Sequence, residues 1–410
     1  MLYTCGDVRS PNGMQVTEVK GQKTGCVCRF STGFLKICTF PAYTGLLMLK
    51  KLLSSLLYSI SYYYTYTSLL HHPSRRDMMG SYVMQFNEEE RTFLERAAKS
   101  INYVIDYSLG MRQRDQYLLT LNDVTFLGNS GAVVKNGAVV VESVMEVNRL
   151  GKSTAFKTPA LMLPNKKSGL YTSVLHLPLS KTSNYHWFFD CLPRLYFVLQ
   201  QVKKPIKIIM RSDLPAFQHQ TLQFILQDHP HAELVYIGEH EKWEVEQFIL
   251  PSFMANSQSA YLPIEVCNWM QQKIWNGYNN ERTNPRRRIY ISRAIAKKRR
   301  VLNEEAFLPI LMQYGFEIVK AEELNYQQQV QLFYDAETVV APHGAGLTNL
   351  LFSRDCKVLE FHPANLVKTH YFLLCKGLGF EYTPLVGSEG DAKENYTVDV
   401  LAVEHWLQKL

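Results

Sequence analysis

The chain has 410 residues, which is too long for one ordinary core and suits two domains plus extensions. Its hydrophobic content of 46% and charged content of 20% are ordinary for a globular, soluble protein. The net charge of +7 favours an anionic partner, although much of the basic excess lies in one short stretch, residues 284 to 300.

The eight cysteines are spread thinly along the chain. No C-x-x-C pair occurs, and no Cys/His spacing is typical of a zinc site. This usage predicts reduced thiols in a cytoplasmic protein.

Residues 1–80 have no clear pattern and are predicted to form an N-terminal extension. Within it, Leu52–Leu70 contains nineteen uncharged residues between basic flanks, a length that suits a membrane span. Twelve of the nineteen are Ser, Thr or Tyr, which favours an interfacial or packed helix over a span. We therefore expect residues 46–70 to make peripheral contact with the inner face of a membrane. Residues 1 to 25 show no cleavable signal peptide.

After the extension, the pattern first predicts an amphipathic helix over 86–109 and a hairpin over 124–147. From about residue 170 strands and helices alternate. The predicted elements are a strand at 173–179, a helix at 185–202, a strand at 206–210, a helix at 217–227 and a strand at 232–238. A long helix at 262–278 follows and ends in the polar stretch 279–287, a candidate linker.

The alternation then restarts in the last third of the chain. Strands are predicted at 287–293, 316–321, 338–342 and 357–361, and helices at 303–315, 325–336 and 347–353. Short apolar strands that alternate with helices indicate parallel sheets built by right-handed crossovers. Two such runs predict an α/β protein with two Rossmann-like domains that face a central cleft, and with a small β-rich region added.

These patterns divide the chain into four parts. Residues 1–80 are predicted to be the extension and 81–278 the first domain. Residues 279–385 are predicted to form the second domain, and 386–410 a C-terminal tail with a helix.

The turn His343-Gly344-Ala345-Gly346 lies between a buried strand and a helix. Such a turn presents unpaired backbone N–H groups and the positive end of the helix dipole, which suits a phosphate group. The third glycine of a dinucleotide fingerprint is missing, which argues against a nicotinamide site. A tight turn that carries a surface histidine remains the alternative.

Glu360 ends the strand that follows this turn. The carboxyl ends of parallel strands line the ligand crevice, where an acid can accept hydrogen bonds from a ribose diol. A lone acid that faces solvent at a strand end is an equally good interpretation.

His186 and Asp190 are four residues apart, so they share one face of the predicted helix. A carboxylate that holds an imidazole in one tautomer raises its basicity and equips it as a general base. Alternatively, Asp190 itself deprotonates a hydroxyl. Pro193 is expected to kink this helix.

Arg293 follows a strand, and Arg299 and Arg300 precede Asn303, which is a good N-cap residue. Guanidinium groups suit bidentate capture of phosphate oxygens. A solvated basic loop is the alternative. Nucleic-acid binding is disfavoured, because no aromatic residues interleave with the basic ones.

Two missing motifs narrow the chemistry further. No D-x-D occurs among the aspartates, so a metal-dependent nucleotide-sugar site has no visible ligand pair. The segment "GNSGA" at 128–132 lacks the last glycine of a G-x-S-x-G nucleophile elbow, which argues against a hydrolase.

Four segments resemble the family-61 glycosyltransferases, in this order along the chain: "NYHWFFDCLPRL", "SRAIAKKRRVLNE", "GFEIV" and "VVAPHGAGLTNLLF" with "KVLEFHP". The resemblance covers residues ~120 to 375. It departs at Asn184-Tyr185-His186-Trp187, where the commonest family pattern, N-Y-x-H-W, has one more residue. The resemblance implies a GT-B fold and inverting transfer of a sugar from a nucleotide donor to a hydroxyl of a glycan or polysaccharide.

The resemblance also implies roles for single residues. Those implied to bind the donor diphosphate, without a metal ion or another cofactor, are Arg293, Arg300, Asn303, His343, Gly344, Ala345 and Gly346. Asn349 would fix the turn, and Glu360 would contact the ribose. His186 and Asp190 would activate the acceptor hydroxyl. The expected donor is UDP-linked, and the alternative is a non-catalytic nucleotide-sugar- or glycan-binding protein on the same scaffold.

Overall fold

The computed structural model describes residues 65–80, 82–101, 110–145, 147–156, 162–176, 183–255, 260–281 and 287–410. Most of the predicted membrane-contacting segment 46–70 lies outside these ranges. Within the part that is described, its end forms a short strand at Thr65–Thr67, and no helix is long and apolar enough to cross a bilayer.

The chain folds into two main sheets and a two-stranded ribbon. The larger sheet contains β1 (Thr65–Thr67), β2 (Arg75–Met79), β5 (Gln116–Leu127), β6 (Val133–Lys135), β7 (Ala138–Val140), β8 (Pro164–Ser173), β9 (Ile206–Arg211), β10 (Ala232–Ile237) and β11 (Lys242–Pro251). The ribbon consists of β3 (Val83–Met84) and β4 (Met111–Arg112). The smaller sheet contains β12 (Arg287–Ile291), β13 (Phe316–Val319), β14 (Ala336–Pro342), β15 (Lys357–His362) and β16 (Glu381–Val386).

The α-helices of the described ranges are α1 (Glu88–Ser100), α2 (Asn184–His186), α3 (Leu195–Gln201), α4 (Ala216–Leu226), α5 (Ile264–Tyr278), α6 (Glu304–Gln313), α7 (Tyr326–Asp335), α8 (His370–Leu378) and α9 (Val400–Leu407). Most begin and end within a few residues of the predicted helices, because apolar periodicity marks where a helix is buried. The α/β class is confirmed.

The larger sheet is mixed, in the order β1-β7-β6-β5-β11-β8-β9-β10, with β2 also paired to β5. Strands β8, β9 and β10 are parallel, whereas β11 and β6 both run antiparallel to β5. The predicted hairpin is confirmed: Asn136 and Gly137 join β6 to β7 with φ angles of 51° and 76°, which a type I′ turn requires. This sheet is therefore not a second all-parallel Rossmann-like sheet.

The smaller sheet is entirely parallel, in the order β13-β12-β14-β15-β16. Counted along the chain, the order is 2-1-3-4-5, the doubly wound arrangement in which the strand order reverses between the first and third strands. Ligands of such sheets lie at the carboxyl ends of the strands at this reversal, here those of β12 and β14. The segments just beyond these two ends begin at Ser292 and His343.

Two predicted elements differ from the structure, and several strands were not predicted. The strand predicted at 173–179 ends at Ser173 instead and begins at Pro164, because its first residues are polar and exposed and resemble a loop. The helix predicted at 347–353 is a 3-10 helix, Ala345–Phe352. Strand β11 was not predicted, although Trp243 and Val245 alternate with glutamates in the pattern of a half-buried strand.

The elements around the two sheets share one core. Gln271 and Trp275 of α5 donate side-chain hydrogen bonds of 2.7 and 3.1 Å to backbone carbonyls of the 3-10 helix 345–352. The Phe188 ring stacks on Tyr326 of α7 at 5.8 Å. Helix α1, although early in the chain, packs Phe93 against the aromatic rings of α8 and β16. These contacts fix the carboxyl ends of β12 and β14 relative to the helical segment 184–201.

Candidate active site

The segment 184–201 is helical throughout but changes its hydrogen-bond pattern twice. One α-turn, α2, leads into a π-turn, Trp187–Cys191, which is closed by a bond from Leu192 N–H to the Trp187 carbonyl. A 3-10 turn with Pro193 then leads into α3. Because proline has no N–H to donate, the α-helical hydrogen bonding is interrupted at Pro193, as predicted. Such π-turns occur often at functional sites, and this one carries Asp190 into the protein interior.

His186 and Asp190 form the predicted pair. The His186 Nδ1 atom lies 2.5 Å from Asp190 Oδ2. The Asp190 side chain is 4% exposed and that of His186 is 27% exposed, so the imidazole lies between the carboxylate and the surface. Burial raises the pKa of Asp190, while hydrogen bonding and charge from His186 oppose that rise. With Nδ1–H donated to the carboxylate, Nε2 of a neutral His186 is left as the proton acceptor.

Arg194, which the sequence analysis did not single out, is buried behind this pair. Its guanidinium donates to the carbonyls of Leu175 and Pro251 and stacks on Phe253 at 4.2 Å. Its charge favours the ionised form of Asp190. The only sequence signal for this role is a basic residue four positions after Asp190 on a helix.

His343 forms the second histidine–carboxylate pair, at the carboxyl end of β14. Its Nδ1 lies 2.5 Å from Glu360 Oε1, and the Tyr382 hydroxyl donates to Glu360 Oε2 at 2.6 Å. Burial lowers the pKa of His343 well below its usual value and raises that of Glu360 to about 7. Because burial favours the uncharged form of both partners, His343 is a neutral hydrogen-bonding group at neutral pH.

The predicted contact between Glu360 and a ribose requires an accessible carboxylate oxygen. Glu360 has an exposed fraction of 0%, and its two oxygens are paired with His343 and Tyr382. These two bonds suit Glu360 to the positioning of His343, and its contact with a ribose stays a prediction.

Gly344 lies directly against Arg293, the first arginine after β12. A Cβ atom at Gly344 would stand 2.1 Å from Arg293 Nη1, whereas one at Gly346 would stand 3.5 Å from its nearest neighbour, Ile291. The φ angle of Gly344 is 179°, an extended value that any residue adopts. Glycine is needed at position 344 because the guanidinium of Arg293 occupies the space that a side chain would fill.

This packing predicts different outcomes for the two glycines. Gly344→Ala should displace the Arg293 guanidinium, and losing one hydrogen bond to a charged ligand should weaken nucleoside diphosphate binding about tenfold or more. Gly346→Ala is the matched control and should bind within about twofold of the wild type, since its Cβ meets only ordinary contact. Isothermal titration with UDP measures both affinities. Equal affinities for the two variants would show that the Arg293 position does not matter for binding.

Three basic side chains lie near His343, namely those of Arg293, Arg299 and Lys368. Burial is the main cause that lowers the pKa of Arg293, His343 and Lys368, and the charge of Arg299 lowers each of them further. Arg299 has a φ angle of 58°, in the left-handed region that is uncommon for a residue with a side chain. Its backbone N–H donates to the Lys393 carbonyl and its side chain is 3.3 Å from Glu394 Oε2. The loop after β16 thus holds Arg299 in this position.

Arg300 and Asn303 are placed differently from the residues around His343. The backbone N–H of Arg300 bonds the Asn395 side chain at 3.0 Å. Asn303 is the N-cap residue of α6, as predicted, but its side chain caps nothing. It donates to and accepts from the backbone of Val398, at 2.8 and 3.0 Å. Both polar atoms of the Asn303 amide are therefore used in joining α6 to the C-terminal segment.

The remaining predicted residues lie in the 3-10 helix after the turn. Ala345 is its first residue and is exposed. Asn349 is fully buried, and its Nδ2 donates to Gln329 at 2.9 Å. Gln329 in turn donates to the carbonyls of Ala321 and Leu324. Asn349 thus ties the helix that carries the turn to α7, which agrees with a role in fixing the turn.

A row of aromatic rings connects the two histidine–carboxylate pairs. The Tyr185 ring lies 5.4 Å from His186 and 5.1 Å from His370, at the start of α8. His370 lies 5.7 Å from the His343 ring. The acceptor-side and donor-side residues predicted from separate motifs are therefore neighbours in space. His370 was not predicted, because a single histidine at a helix start carries no motif.

Among the residues that the structure describes, two groups of side chains have a geometry that could hold a metal ion, His176 with His186 and Asp190, and His343 with Glu360 and His362. In each group one imidazole is already hydrogen-bonded to the carboxylate at 2.5 Å. Those bonds account for the close approach of the ligand atoms without an ion. His362 is itself fully buried, and burial lowers its pKa to about 4.

Comparison with known proteins adds one finding. The family model described as Glycosyltransferase 61 matches residues 185–359. Residues 185–359 are therefore similar to glycosyltransferase family 61. The resemblance predicted from the four motifs is confirmed. No curated protein sequence matches the chain significantly.

The matched region contains the His186–Asp190 pair, Arg293, Arg299 and the turn at 343–346. Similarity to family 61 implies a glycosyltransferase, which in general uses a nucleotide-sugar donor and a glycan acceptor. Glu360, His370 and Tyr382 lie beyond the matched residues. The structure connects them to the family region through the bonds and ring contacts of His343.

Proposed function

We propose that the protein is an inverting, metal-independent glycosyltransferase of GT-B type that transfers a sugar from a UDP-linked donor to a hydroxyl of a glycan or polysaccharide. The carrying observation is the group of Arg293, Arg299 and Lys368 at the reversal point of the parallel sheet. Burial lowers the pKa of Arg293 and of Lys368, and the charge of Arg299 lowers both further, so like charges repel here in the free protein. A bound diphosphate would relieve that repulsion.

The proposed chemistry is a single displacement at the anomeric carbon. His186 Nε2 takes the proton of the acceptor hydroxyl while Asp190 stabilises the imidazolium that forms. The acceptor oxygen bonds to the anomeric carbon as the bond from that carbon to the diphosphate oxygen breaks. The electron pair of that bond leaves with the nucleoside diphosphate. Attack from the face opposite the leaving group inverts the anomeric configuration.

Metal independence rests on what could neutralise the leaving diphosphate. The sequence has no D-x-D motif, and the positive charge at the carboxyl ends of β12 and β14 comes from side chains. Arg293 and Arg299, with the N–H groups of the turn after His343, would stabilise the departing oxygens as a divalent ion does elsewhere. The neutral His343 would add a hydrogen bond without a charge.

A thermal-shift screen of UDP-, GDP- and CMP-linked sugars tests the donor class. We expect UDP and at least one UDP-sugar to raise the melting temperature, and the shift to persist in excess EDTA, since the charge is supplied by arginines. A shift that EDTA abolishes and Mg²⁺ or Mn²⁺ restores would contradict metal independence. Stabilisation by GDP- or CMP-sugars alone would mean that the donor carries guanosine or cytidine instead of uridine. Stabilisation by none of the sugars would contradict the proposed function.

A further inference from the structure

Two polar atoms stand without a partner between the histidine–carboxylate pairs. The Tyr185 hydroxyl and the His370 Nδ1 atom are both buried, and neither makes a hydrogen bond to any residue of the described ranges. Their rings meet at 5.1 Å, nearly at right angles, with an interplanar angle of 72°. Leaving a buried polar atom unpaired costs about 1–3 kcal/mol, so two such atoms on neighbouring rings point to a polar guest.

The position of these atoms limits what the guest is. Tyr185 precedes the proposed base, and His370 contacts the His343 ring at the donor end of the site. Burial lowers the pKa of His370 most, and the charges of Lys368 and Arg299 lower it further, which places His370 close to these cations. A group held by Tyr185 and His370 therefore lies between the cations that would bind the diphosphate and the hydroxyl that would attack. In a glycosyl transfer, the transferred sugar occupies that place.

The chemistry of the two side chains suits sugar hydroxyls. Burial holds the pKa of His370 well below its usual value and that of Tyr185 well above it, so both side chains are uncharged at neutral pH. A neutral imidazole and a phenol each donate or accept a hydrogen bond without attracting an ion. A ring face next to such groups also packs against the C–H face of a pyranose.

We infer that Tyr185 and His370 form the subsite for the transferred sugar and select among donors that share one nucleotide. This inference rests on the proposed function and extends it from the diphosphate to the sugar. Neither residue takes a proton in the reaction. Each hydrogen-bonds a sugar hydroxyl, so a donor whose hydroxyl at that position is absent or inverted leaves the atom unpaired and is rejected.

The test compares affinity for UDP with affinity for UDP-sugars in Tyr185→Phe and His370→Asn. UDP-glucose, UDP-N-acetylglucosamine and UDP-xylose serve as the probes, by isothermal titration and by a transfer assay on the best donor. Both variants should bind UDP within about twofold of the wild type. Each should bind the preferred UDP-sugar about tenfold more weakly, the loss expected for one hydrogen bond, and transfer it with lower kcat/KM.

Tyr326→Phe is the matched control for the phenol. The Tyr326 hydroxyl is also buried without a partner among the described residues, but its ring packs against Phe188, Phe217 and Phe352 in the shared core. Its removal should leave UDP-sugar affinity unchanged. If all three variants lose UDP and UDP-sugar binding together, the effect is structural and the subsite is contradicted.

The failure of this inference is distinguishable from failure of the proposed function. If the wild type binds no nucleotide or nucleotide sugar, the proposed function fails. If the wild type binds and transfers while Tyr185→Phe and His370→Asn keep its affinity for every UDP-sugar and its ranking of donors, only the sugar subsite is wrong. A changed ranking with unchanged UDP affinity supports it, since a purely structural defect would not reorder donors.

Discussion

Replacing Asp190 by asparagine is expected to reduce kcat by about 10²–10⁴-fold, the usual contribution of a positioned general base. The carboxylate accepts the Nδ1 proton of His186 at 2.5 Å and so leaves Nε2 free to take the acceptor's proton. An amide of the same shape can present its own N–H to Nδ1, which moves the imidazole proton to Nε2 and blocks that step. UDP affinity should stay within about twofold of the wild type, because Asp190 contacts none of the cations around His343.

Asp228→Asn is the matched control for this substitution. Asp228 makes the same kind of contact, an ion pair, but with Lys273 on the surface, and its side chain is 68% exposed. Its loss should change neither kcat nor UDP affinity, because exposed ion pairs contribute little. Wild-type turnover in Asp190→Asn would contradict the catalytic assignment. A wild type that binds UDP-sugars but transfers to no acceptor would instead support a non-catalytic binding protein.

The sequence predicted the second sheet far better than the first. Strands β12, β14 and β15 are parallel and mostly buried, so each reads as a short apolar run between helices, whereas the more exposed edge strand β16 was not predicted. The larger sheet mixes hairpins with parallel strands, and β11 joins β5 to β8, which lie far apart along the chain. Such pairing depends on long-range contacts, for which local periodicity carries no signal.

The candidate site likewise has features that the sequence predicts and features that it does not. The His186–Asp190 pair was predictable because four-residue spacing on a helix is a local property. The burial of Glu360 was not predictable, since a carboxylate at a strand end looks the same in sequence whether it faces a ligand or a tyrosine on the neighbouring strand. His370 meets Tyr185 only because two distant helices pack together. Contacts between side chains that are distant along the chain are therefore the features of the site that sequence spacing cannot predict.

Adjacent arginines after β12 provide the sharpest test of the donor end. The sequence resemblance implies Arg300 as a diphosphate ligand. In the structure, however, it is the charge of Arg299 that, in addition to burial, lowers the pKa of His343, His370 and Lys368. Arg299→Ala should therefore weaken UDP binding about ten- to hundredfold, the loss of one or two hydrogen bonds from a charged donor. Arg300→Ala should stay within about threefold, since Arg299 and not Arg300 is among the charges that act on Arg293, His343, His370 and Lys368.

The two variants control for each other, because they remove the same side chain from neighbouring positions and change the net charge equally. Titration with UDP at two salt concentrations measures the effect, and the loss in Arg299→Ala should shrink as salt screens the charge. A large loss in Arg300→Ala with none in Arg299→Ala would restore the assignment made from the motif. Similar modest losses in both would mean that the diphosphate senses only the overall positive field, and the left-handed backbone of Arg299 would then serve the fold and not the ligand.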